Sequence, residues 1–395
     1  MNFSKHWATT LDDYVIDLAW SADGSMLAAA SAAGGIALYD AATGALRHAL
    51  AGHEDGANCL AWMPPQSTDD RKQKTDVADE SPSSVLRPLS SDLLATGGQD
   101  GYVRLWDAPT GGKIAEAKLG SAWVEHLAWK AIGPVLAQAE AQGAGKPAPY
   151  SPILFAAAGK KLFALKTDGS VAHTFPDAPK TISALAVGRV IPNAPGLAAY
   201  DERRIKDSPP YLAAAYFGGV GIWDTGTFSA LKELPYGNAI LALTWSPDGR
   251  WLVAGCHDNA VHLWVPAEDL ELHMSGYETK LKELSFSRDS KWLATGGGRD
   301  ACVWDCTGNG PEGREPLLLP HKARVCAVAF QHEHGLLATA AADGEFCLWS
   351  PTRKNPLVAE VKMPAAATKF TWSPNDTLLA VGTEKGAVFV FKIED

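Results

Sequence analysis

The chain has 395 residues, of which 46% are hydrophobic and 14 are tryptophan, so it is long enough to bury a large core. Its net charge of −10 argues against a general nucleic-acid-binding protein, which normally presents a basic face. No apolar run approaches the roughly 18 residues of a membrane helix, and the first residues lack the apolar core of a signal peptide. The six cysteines form no CxxC pair, which predicts reduced side chains in a cytoplasmic protein. The alanine-rich composition suggests a bacterial source.

One hairpin pattern recurs along the chain. Residues 93–107, LLATGGQDGYVRLWD, read as an apolar strand, a tight turn with glycine and aspartate, and a strand that alternates polar and apolar residues. Seven other segments repeat this pattern in degenerate form. In chain order the eight hairpins end at Asp40, Asp107, Lys166, Asp224, Trp264, Asp305, Ser350 and Phe391.

Each hairpin is flanked by two further strand-like segments. The segment before it, such as VIDLAW at 15–20, mixes large and small apolar residues, as a strand buried on both faces does. The segment after it, such as LRHAL at 46–50, is more polar, as an outer edge strand should be. The unit is therefore four antiparallel strands, and such sheets bury both faces when they stack radially into a closed ring. The sequence predicts an all-β fold, a β-propeller of four-stranded antiparallel blades.

The two chain ends predict how the ring closes. The last unit stops in its third strand at VFVFKIED (388–395), whereas SKHWATTL (4–11) resembles an outer strand. We therefore expect the N-terminal strand to complete the last blade. The prediction is one domain over 1–395 with eight blades. Seven blades is the alternative, because the third and fourth repeats are degenerate.

The best-preserved repeat carries a family resemblance. GHEDGANCLAW (52–62) followed by the hairpin at 93–107 resembles the WD-repeat family in its Gly-His pair, its turn aspartate and its Trp-Asp pair. The resemblance covers nearly the whole chain and is most specific in repeats two and seven. It implies a buried relay of one His, one Ser or Thr, one Asp and one Trp within a blade. The matching residues are His53, Thr96, Asp100 and Trp106 in repeat two, and His321, Thr339, Asp343 and Trp349 in repeat seven.

A His, a hydroxyl and an acid also suggest a hydrolase triad. Here the set recurs in two repeats, and its hydroxyls belong to threonines among apolar neighbours. An active site has no reason to recur, whereas each buried polar group needs a partner. The pattern therefore favours a structural relay, and we predict no catalytic residue, no metal ligand, no cofactor and no enzymatic activity.

Three long insertions separate the innermost strand from the next strand in repeats two, three and four. They cover about 63–92, 130–152 and 188–210. That connection leaves a propeller on one face, so the sequence predicts a loop rim on adjacent blades, where long loops commonly serve a function. The candidate rim residues are basic: Arg71, Lys72, Lys74, Arg203, Arg204 and Lys206.

The start of the innermost strands predicts a second surface, at the mouth of the central channel. The WD-repeat resemblance implies that this mouth often binds peptides. Asp17 and Lys369 would lie on neighbouring blades of an eight-fold ring and could pair. The candidate channel-mouth residues are Tyr14, Asp17, Trp123, His126, Glu283, Arg324 and Lys369.

The sequence therefore predicts a protein-interaction scaffold that presents loops from a rigid propeller. We expect protein partners of unknown identity, no general nucleic-acid binding and no membrane span. The alternative function is a small-ligand or metal-binding propeller that uses the central channel, with metal handling as one such role.

Overall fold

The described strands assemble into eight four-stranded antiparallel sheets. The structure, a computed structural model, describes residues 2–64, 92–130, 152–188 and 211–394. Blades one to four comprise β2 (Val15–Trp20), β3 (Met26–Ser31), β4 (Ile36–Asp40), β5 (Leu46–Leu50); β6 (Ala57–Trp62), β7 (Leu93–Gly98), β8 (Tyr102–Asp107), β9 (Gly112–Lys118); β10 (Val124–Trp129), β11 (Leu154–Ala158), β12 (Lys161–Leu165), β13 (Val171–Thr174); and β14 (Ile182–Gly188), β15 (Tyr211–Tyr216), β16 (Gly219–Asp224), β17 (Ala230–Pro235).

The other four sheets follow the same order from the innermost to the outermost strand, except that the last blade takes its outermost strand from the N-terminus. Blades five to eight comprise β18 (Ile240–Trp245), β19 (Leu252–Cys256), β20 (Val261–Val265), β21 (Leu270–Met274); β22 (Leu284–Phe286), β23 (Trp292–Thr295), β24 (Asp300–Asp305), β25 (Leu317–Pro320); β26 (Val325–Phe330), β27 (Leu337–Ala341), β28 (Glu345–Trp349), β29 (Leu357–Lys362); and β30 (Ala367–Trp372), β31 (Leu378–Thr383), β32 (Ala387–Glu394), β1 (Asn2–Thr10).

The blades form a closed ring. Each innermost strand packs against the innermost strands of its two neighbours, and β2 contacts both β6 and β30. The core lies between blades: Leu38 of blade one shares a buried cluster with Leu94 and Trp106 of blade two. Burying a side chain of this size contributes about 1.5–3 kcal/mol. The prediction of an eight-bladed propeller is confirmed, and the seven-bladed alternative is wrong.

The N-terminal strand completes blade eight, as predicted. β1 pairs antiparallel with β32 from Asn2 opposite Glu394 to Thr10 opposite Ala387. Trp7 of this strand is buried, and its indole Nε1 donates a hydrogen bond to the carbonyl oxygen of Ala41 in blade one at 2.8 Å. The strand therefore joins the chain ends within blade eight and also ties blade eight to blade one.

Tryptophans near the ends of the innermost strands connect neighbouring blades. Trp62 of blade two donates from Nε1 to the carbonyl oxygen of Ala19 in blade one at 2.8 Å. The same contact joins Trp20 to Thr371 across the closure of the ring, Trp129 to Ala61, and Trp372 to Ala329. Each bond satisfies a buried indole N–H and fixes the spacing between two blades.

A bulge near the start of the innermost strands positions the channel residues. In seven blades the pairing register shifts by one residue there, for example between Val15 and Asp17 and between Ala367 and Lys369. A bulge bends a strand and redirects its side chains. The residue after the shift is the one that the sequence assigned to the channel mouth in blades one, three and eight.

The three long insertions fall almost entirely in 65–91, 131–151 and 189–210, outside the described residues. Their place on one face of the propeller stays a prediction, as does the single-domain assignment of 1–395. No helix among the described residues is long and apolar enough to cross a membrane.

Candidate functional site

The relay predicted in blade two is a continuous hydrogen-bonded chain. His53 Nδ1 lies 2.9 Å from Asp100 Oδ1, and His53 Nε2 lies 2.8 Å from Thr96 Oγ1. Trp106 donates from Nε1 to the same threonine oxygen at 3.0 Å. The contacts with Asp100 and Thr96 fit one tautomer, in which His53 donates from Nδ1 to the carboxylate and accepts the threonine hydroxyl proton at Nε2. Arg104 Nη1 also lies 2.5 Å from His53 Nδ1.

Burial sets the charge states of this relay. Desolvation lowers the pKa of His53 despite its contact with Asp100, so the imidazole is neutral at neutral pH. Burial by itself would raise the pKa of Asp100, but hydrogen bonds from Arg104 and His53 outweigh it and hold that pKa below its ordinary value. Arg104 Nη1 lies 2.6 Å from Asp100 Oδ2. The carboxylate therefore has partners for both oxygens, and the relay is closed within the blade.

Blade seven carries the relay with a different acid. His321 Nδ1 lies 2.9 Å from Glu345 Oε2, not at Asp343, and His321 Nε2 lies 2.7 Å from Thr339 Oγ1. Trp349 donates from Nε1 to Thr339 at 2.7 Å. Asp343 instead accepts a hydrogen bond from the backbone N–H of Glu345 at 3.1 Å and pairs with a lysine on the outer strand. The assignment of Asp343 to the relay is corrected: the longer Glu345 side chain reaches the histidine.

The same blade contains three potential metal ligands. The ligand atoms of His321, Glu345 and Cys347 all lie within 4.8 Å of one another, and all three residues are buried. Their hydrogen bonds oppose metal binding. Thr339 occupies His321 Nε2, and the Lys322 ammonium lies 2.8 Å from Glu345, where its charge would repel a cation. Burial raises the pKa of the Cys347 thiol to about 12, which keeps it protonated. His321 and Glu345 instead belong to the relay.

Blade six has a relay that the sequence did not assign. Its turn is one residue shorter, and a tyrosine takes the histidine position. Tyr277 Oη lies 3.1 Å from Thr295 Oγ1, and Trp304 donates from Nε1 to the same oxygen at 3.3 Å. Residue spacing did not reveal this relay, because a phenol in the preceding loop can reach the threonine that a histidine reaches in blades two and seven.

Blade five lacks the relay threonine. Ala254 takes its position, and Trp264 Nε1 is buried without a hydrogen-bond partner. Tyr236 donates its hydroxyl to Asp258 at 2.8 Å. Blade five therefore depends on apolar packing.

The channel-mouth residues form two ion pairs. Lys369 Nζ lies 2.9 Å from Asp17 Oδ1, joining blades eight and one. The other carboxylate oxygen of Asp17 accepts the backbone N–H of Leu60 in blade two at 2.9 Å, so three blades meet at this side chain. The charge of Asp17 raises the pKa of Lys369. Across the mouth, Arg324 Nη1 lies 3.7 Å from Glu283 Oε1.

His126 extends this polar lining on blade three. Burial, with the nearby positive charge of Lys369, lowers the pKa of His126 to about 4, so the ring is neutral at neutral pH. Cys59 lies next to the lining, and burial raises the pKa of its thiol well above the ordinary value. At neutral pH this part of the channel therefore carries an uncharged imidazole and a protonated thiol.

The remaining predicted residues of the mouth are exposed aromatic side chains. Tyr14 is 41% exposed and Trp123 is 51% exposed, each just before an innermost strand. Large exposed aromatic side chains are favoured at protein interfaces, where they anchor a partner. The predicted rim residues lie outside the described residues: Arg71, Lys72, Lys74, Arg203, Arg204 and Lys206.

Comparison with protein families finds two matching models. The model described as "Anaphase-promoting complex subunit 4 WD40 domain" matches residues 1–64. The model described as "WD domain, G-beta repeat" matches 76–107, 230–265, 270–305 and 315–350.

Curated relatives match parts of the chain. WD repeat-containing protein srw1 of Schizosaccharomyces pombe is 26% identical over 48% of this chain and 35% of its own length. B-type cell cycle switch protein ccs52A of Medicago truncatula is 24% identical over 43% of this chain and 36% of its own. Denticleless protein homolog of Xenopus tropicalis is 28% identical over 37% of this chain and 25% of its own. The chain thus spans about a third or less of these relatives. They are eukaryotic, so they give no support to the expected bacterial source.

Solved structures share the fold over nearly the whole chain. The Dos1 propeller aligns with a TM-score of 0.72 at 15% identity, covering 99% of this chain and 95% of that one. The computationally designed Ika8 protein aligns with a TM-score of 0.70 at 18% identity, covering 99% and 100%. At such identities the likeness concerns the fold alone. Neither these structures nor the relatives support the metal-handling alternative.

Proposed function

This chain belongs to the WD-repeat β-propeller family, and from that membership we propose that it is a non-enzymatic scaffold that binds protein partners. The relays are closed within their blades and, among the described residues, have no free nucleophile beside a base. The observation that carries the proposal is the pair of exposed aromatic side chains, Tyr14 and Trp123, held at the channel mouth by a rigid ring. A closed propeller keeps such anchors in place at little entropic cost on binding.

The relatives support the same function. Two of them are named as WD repeat-containing proteins, and another is named as a B-type cell cycle switch protein. We extend to this chain only the general role of contacting other proteins. A cytoplasmic location remains part of the proposal, supported by six free cysteines, which suit a reducing compartment.

Two surfaces compete as the docking site. We place docking at the channel mouth, and the predicted loop rim at about 63–92, 130–152 and 188–210 is the competing site. The experiment compares capture of partners from a lysate of the source cells by three purified forms: the native chain, the double variant Tyr14→Ala with Trp123→Ala, and a form with the three insertions shortened to tight turns. Both aromatic side chains are exposed, so the double variant should keep the native melting temperature.

We expect the double variant to lose the partner and the shortened form to keep it. Loss only in the shortened form would move docking to the rim and leave the scaffold function intact. If all forms capture no protein, or the same proteins as an unrelated control propeller, the scaffold function is contradicted.

A further inference from the structure

The loops that precede the innermost strands of blades one to three, together with the turns between the second and third strands of blades one and two, form one continuous surface, which we call the acidic arc. It consists of residues 11–14, 32–35, 51–56, 99–101 and 119–123. Backbone hydrogen bonds connect these loops in order: from Ala32 N to Tyr14 O, from His53 N to Gly34 O, from Gln99 N to Gly56 O and from Leu119 N to Gly101 O, at 2.9–3.0 Å. The arc is therefore held together by the backbone and does not depend on side-chain positions.

All of the free charge on the acidic arc is negative. Its loops contain no lysine or arginine, and their exposed charged residues are Asp12, Asp13, Glu54 and Asp55. Two lysines border the arc: Lys118, which donates a hydrogen bond to the carbonyl oxygen of Asp100, and Lys160 on the adjoining turn of blade three. The fifth acid, Asp100, is bound by His53 and Arg104 within the relay and adds no free charge. Like charges on adjacent loops repel one another, and a partner of opposite charge relieves that repulsion.

The opposite side of the mouth has the reverse sign. The loops of blades six and seven at 275–282, 296–299, 321–324 and 342–344 carry five basic residues and two acids, Glu278 and Asp343, of which Asp343 pairs with Lys362. Two of those basic residues are bound: Lys322 pairs with Glu345 and Arg324 pairs with Glu283. The face is thus polarised across the channel, and the acidic arc is its negative side.

Exposed aromatic side chains stand at both ends of the acidic arc. Tyr14 ends the first loop and Trp123 ends the last. An exposed aromatic face attracts lysine ammonium and arginine guanidinium groups, and carboxylates nearby favour the same cations. Anionic lipids and nucleic acids are disfavoured here, because both would be repelled by the arc.

We propose that the acidic arc binds a lysine- and arginine-rich segment of a protein partner, with Tyr14 and Trp123 stacking on its cationic side chains. This inference rests on the proposed scaffold function and names the chemistry of the partner at the channel mouth. The carboxylates attract the segment over several ångströms, and the aromatic side chains give the contact its position.

The test measures binding of fluorescein-labelled peptides by fluorescence anisotropy. One peptide alternates lysine and arginine with glycine and serine, a second replaces each cation by glutamate, and a third replaces each by glutamine. We expect the basic peptide to bind at least about tenfold more tightly than the other two. We also expect the affinity to fall with added salt, since exposed charges are screened.

Two charge variants make the test specific. Asp13→Asn with Glu54→Gln and Asp55→Asn removes three charges from the arc. Asp168→Asn with Asp269→Asn and Glu312→Gln removes three exposed charges from turns between third and fourth strands, on the opposite face. The arc variant should lower the affinity for the basic peptide about tenfold or more, and the matched variant should lower it about twofold or less. Thermal melts verify that both variants fold.

Three results would overturn the proposal: equal binding of the three peptides, equal losses in the two variants, or tighter binding of the acidic peptide. A protein partner that is captured by the native chain and is unaffected by the arc variant would also overturn it. That last result would leave the scaffold function standing, so failure of the inference and failure of the function are distinguishable.

Discussion

At the scale of single residues, the threonine in the centre of each relay is the group on which the other members depend. Thr96 has no exposed surface, and its hydroxyl contacts both His53 and Trp106. Thr96→Val keeps the shape and removes the hydroxyl, leaving a buried indole N–H and an imidazole nitrogen without partners. We expect the free energy of unfolding to fall by about 1–3 kcal/mol, measured by chemical denaturation.

The control for this change is Thr110→Val, which removes an exposed hydroxyl that bonds only within its own turn. It should alter stability by no more than about 0.5 kcal/mol. If both substitutions cost the same, the relay does not stabilise blade two.

The relay acid of blade seven can be tested in the same way. Glu345 is buried and accepts hydrogen bonds from His321 and Lys322, whereas Asp343 pairs with Lys362 near the surface. We expect Glu345→Gln to lower the melting temperature clearly more than Asp343→Asn, because only the first change weakens a buried charged contact. The opposite order in differential scanning fluorimetry would restore Asp343 to the relay.

At the scale of elements, the N-terminal strand determines whether the ring is closed. Phe3 of β1 stacks on Phe391 with ring centroids 4.8 Å apart, and Trp7 packs over Gly44 of blade one. Gly44 has a φ of +71°, and a Cβ there would lie 2.7 Å from the indole. The tryptophan and the glycine therefore require each other.

Trp7→Ala should cost about 3–5 kcal/mol of unfolding free energy, because it removes a buried aromatic ring and its bond to Ala41. His6→Ala on the exposed side of the same strand is the matched control and should cost little. Urea denaturation followed by far-ultraviolet circular dichroism measures both. Equal, small effects would show that closure by β1 contributes nothing to the stability of the ring.

Most of the fold was predictable from the sequence because each blade repeats one local rule. Apolar innermost strands, glycine- or aspartate-containing turns and a missing last strand predict both blade number and closure.

The relay sites were less predictable from the sequence. Thr339 and Trp349 are separated by the same number of residues as Thr96 and Trp106, and this spacing predicted Asp343 as the relay acid. Residue spacing cannot reveal that the longer side chain of Glu345 extends to His321. Tyr277 was missed because a phenol, not an imidazole, bonds Thr295.

At the scale of the whole molecule, the buried neutral histidines predict an acid-sensitive stability. Burial lowers the pKa of His53, His126 and His321 in the folded state. Below the unfolded-state value of about 6.5, the unfolded chain therefore binds more protons than the folded chain. The contribution of these histidines to the free energy of unfolding should be complete above about pH 6.5. It should fall as the pH drops towards their lower folded-state pKa values.

Asp100 and Glu345 extend the loss to lower pH. Their folded-state pKa values lie below the ordinary range, so their contribution is lost only as the pH falls below about 4. Melting temperatures measured from neutral to acidic pH should decline in the histidine range first. His53→Gln should flatten the first decline, and a profile with no change near about pH 6 would contradict neutral buried histidines.

The central claim is that the molecule is a rigid ring whose relays are structural and whose channel mouth binds a protein partner. The measurement that tests this most directly is hydrogen–deuterium exchange of the native chain with and without its captured partner. We predict new protection in the mouth loops at 11–14, 51–56 and 119–123, with the strands of the blades unchanged. Protection confined to the outermost strands, or to the turns on the opposite face, would contradict docking at the channel mouth.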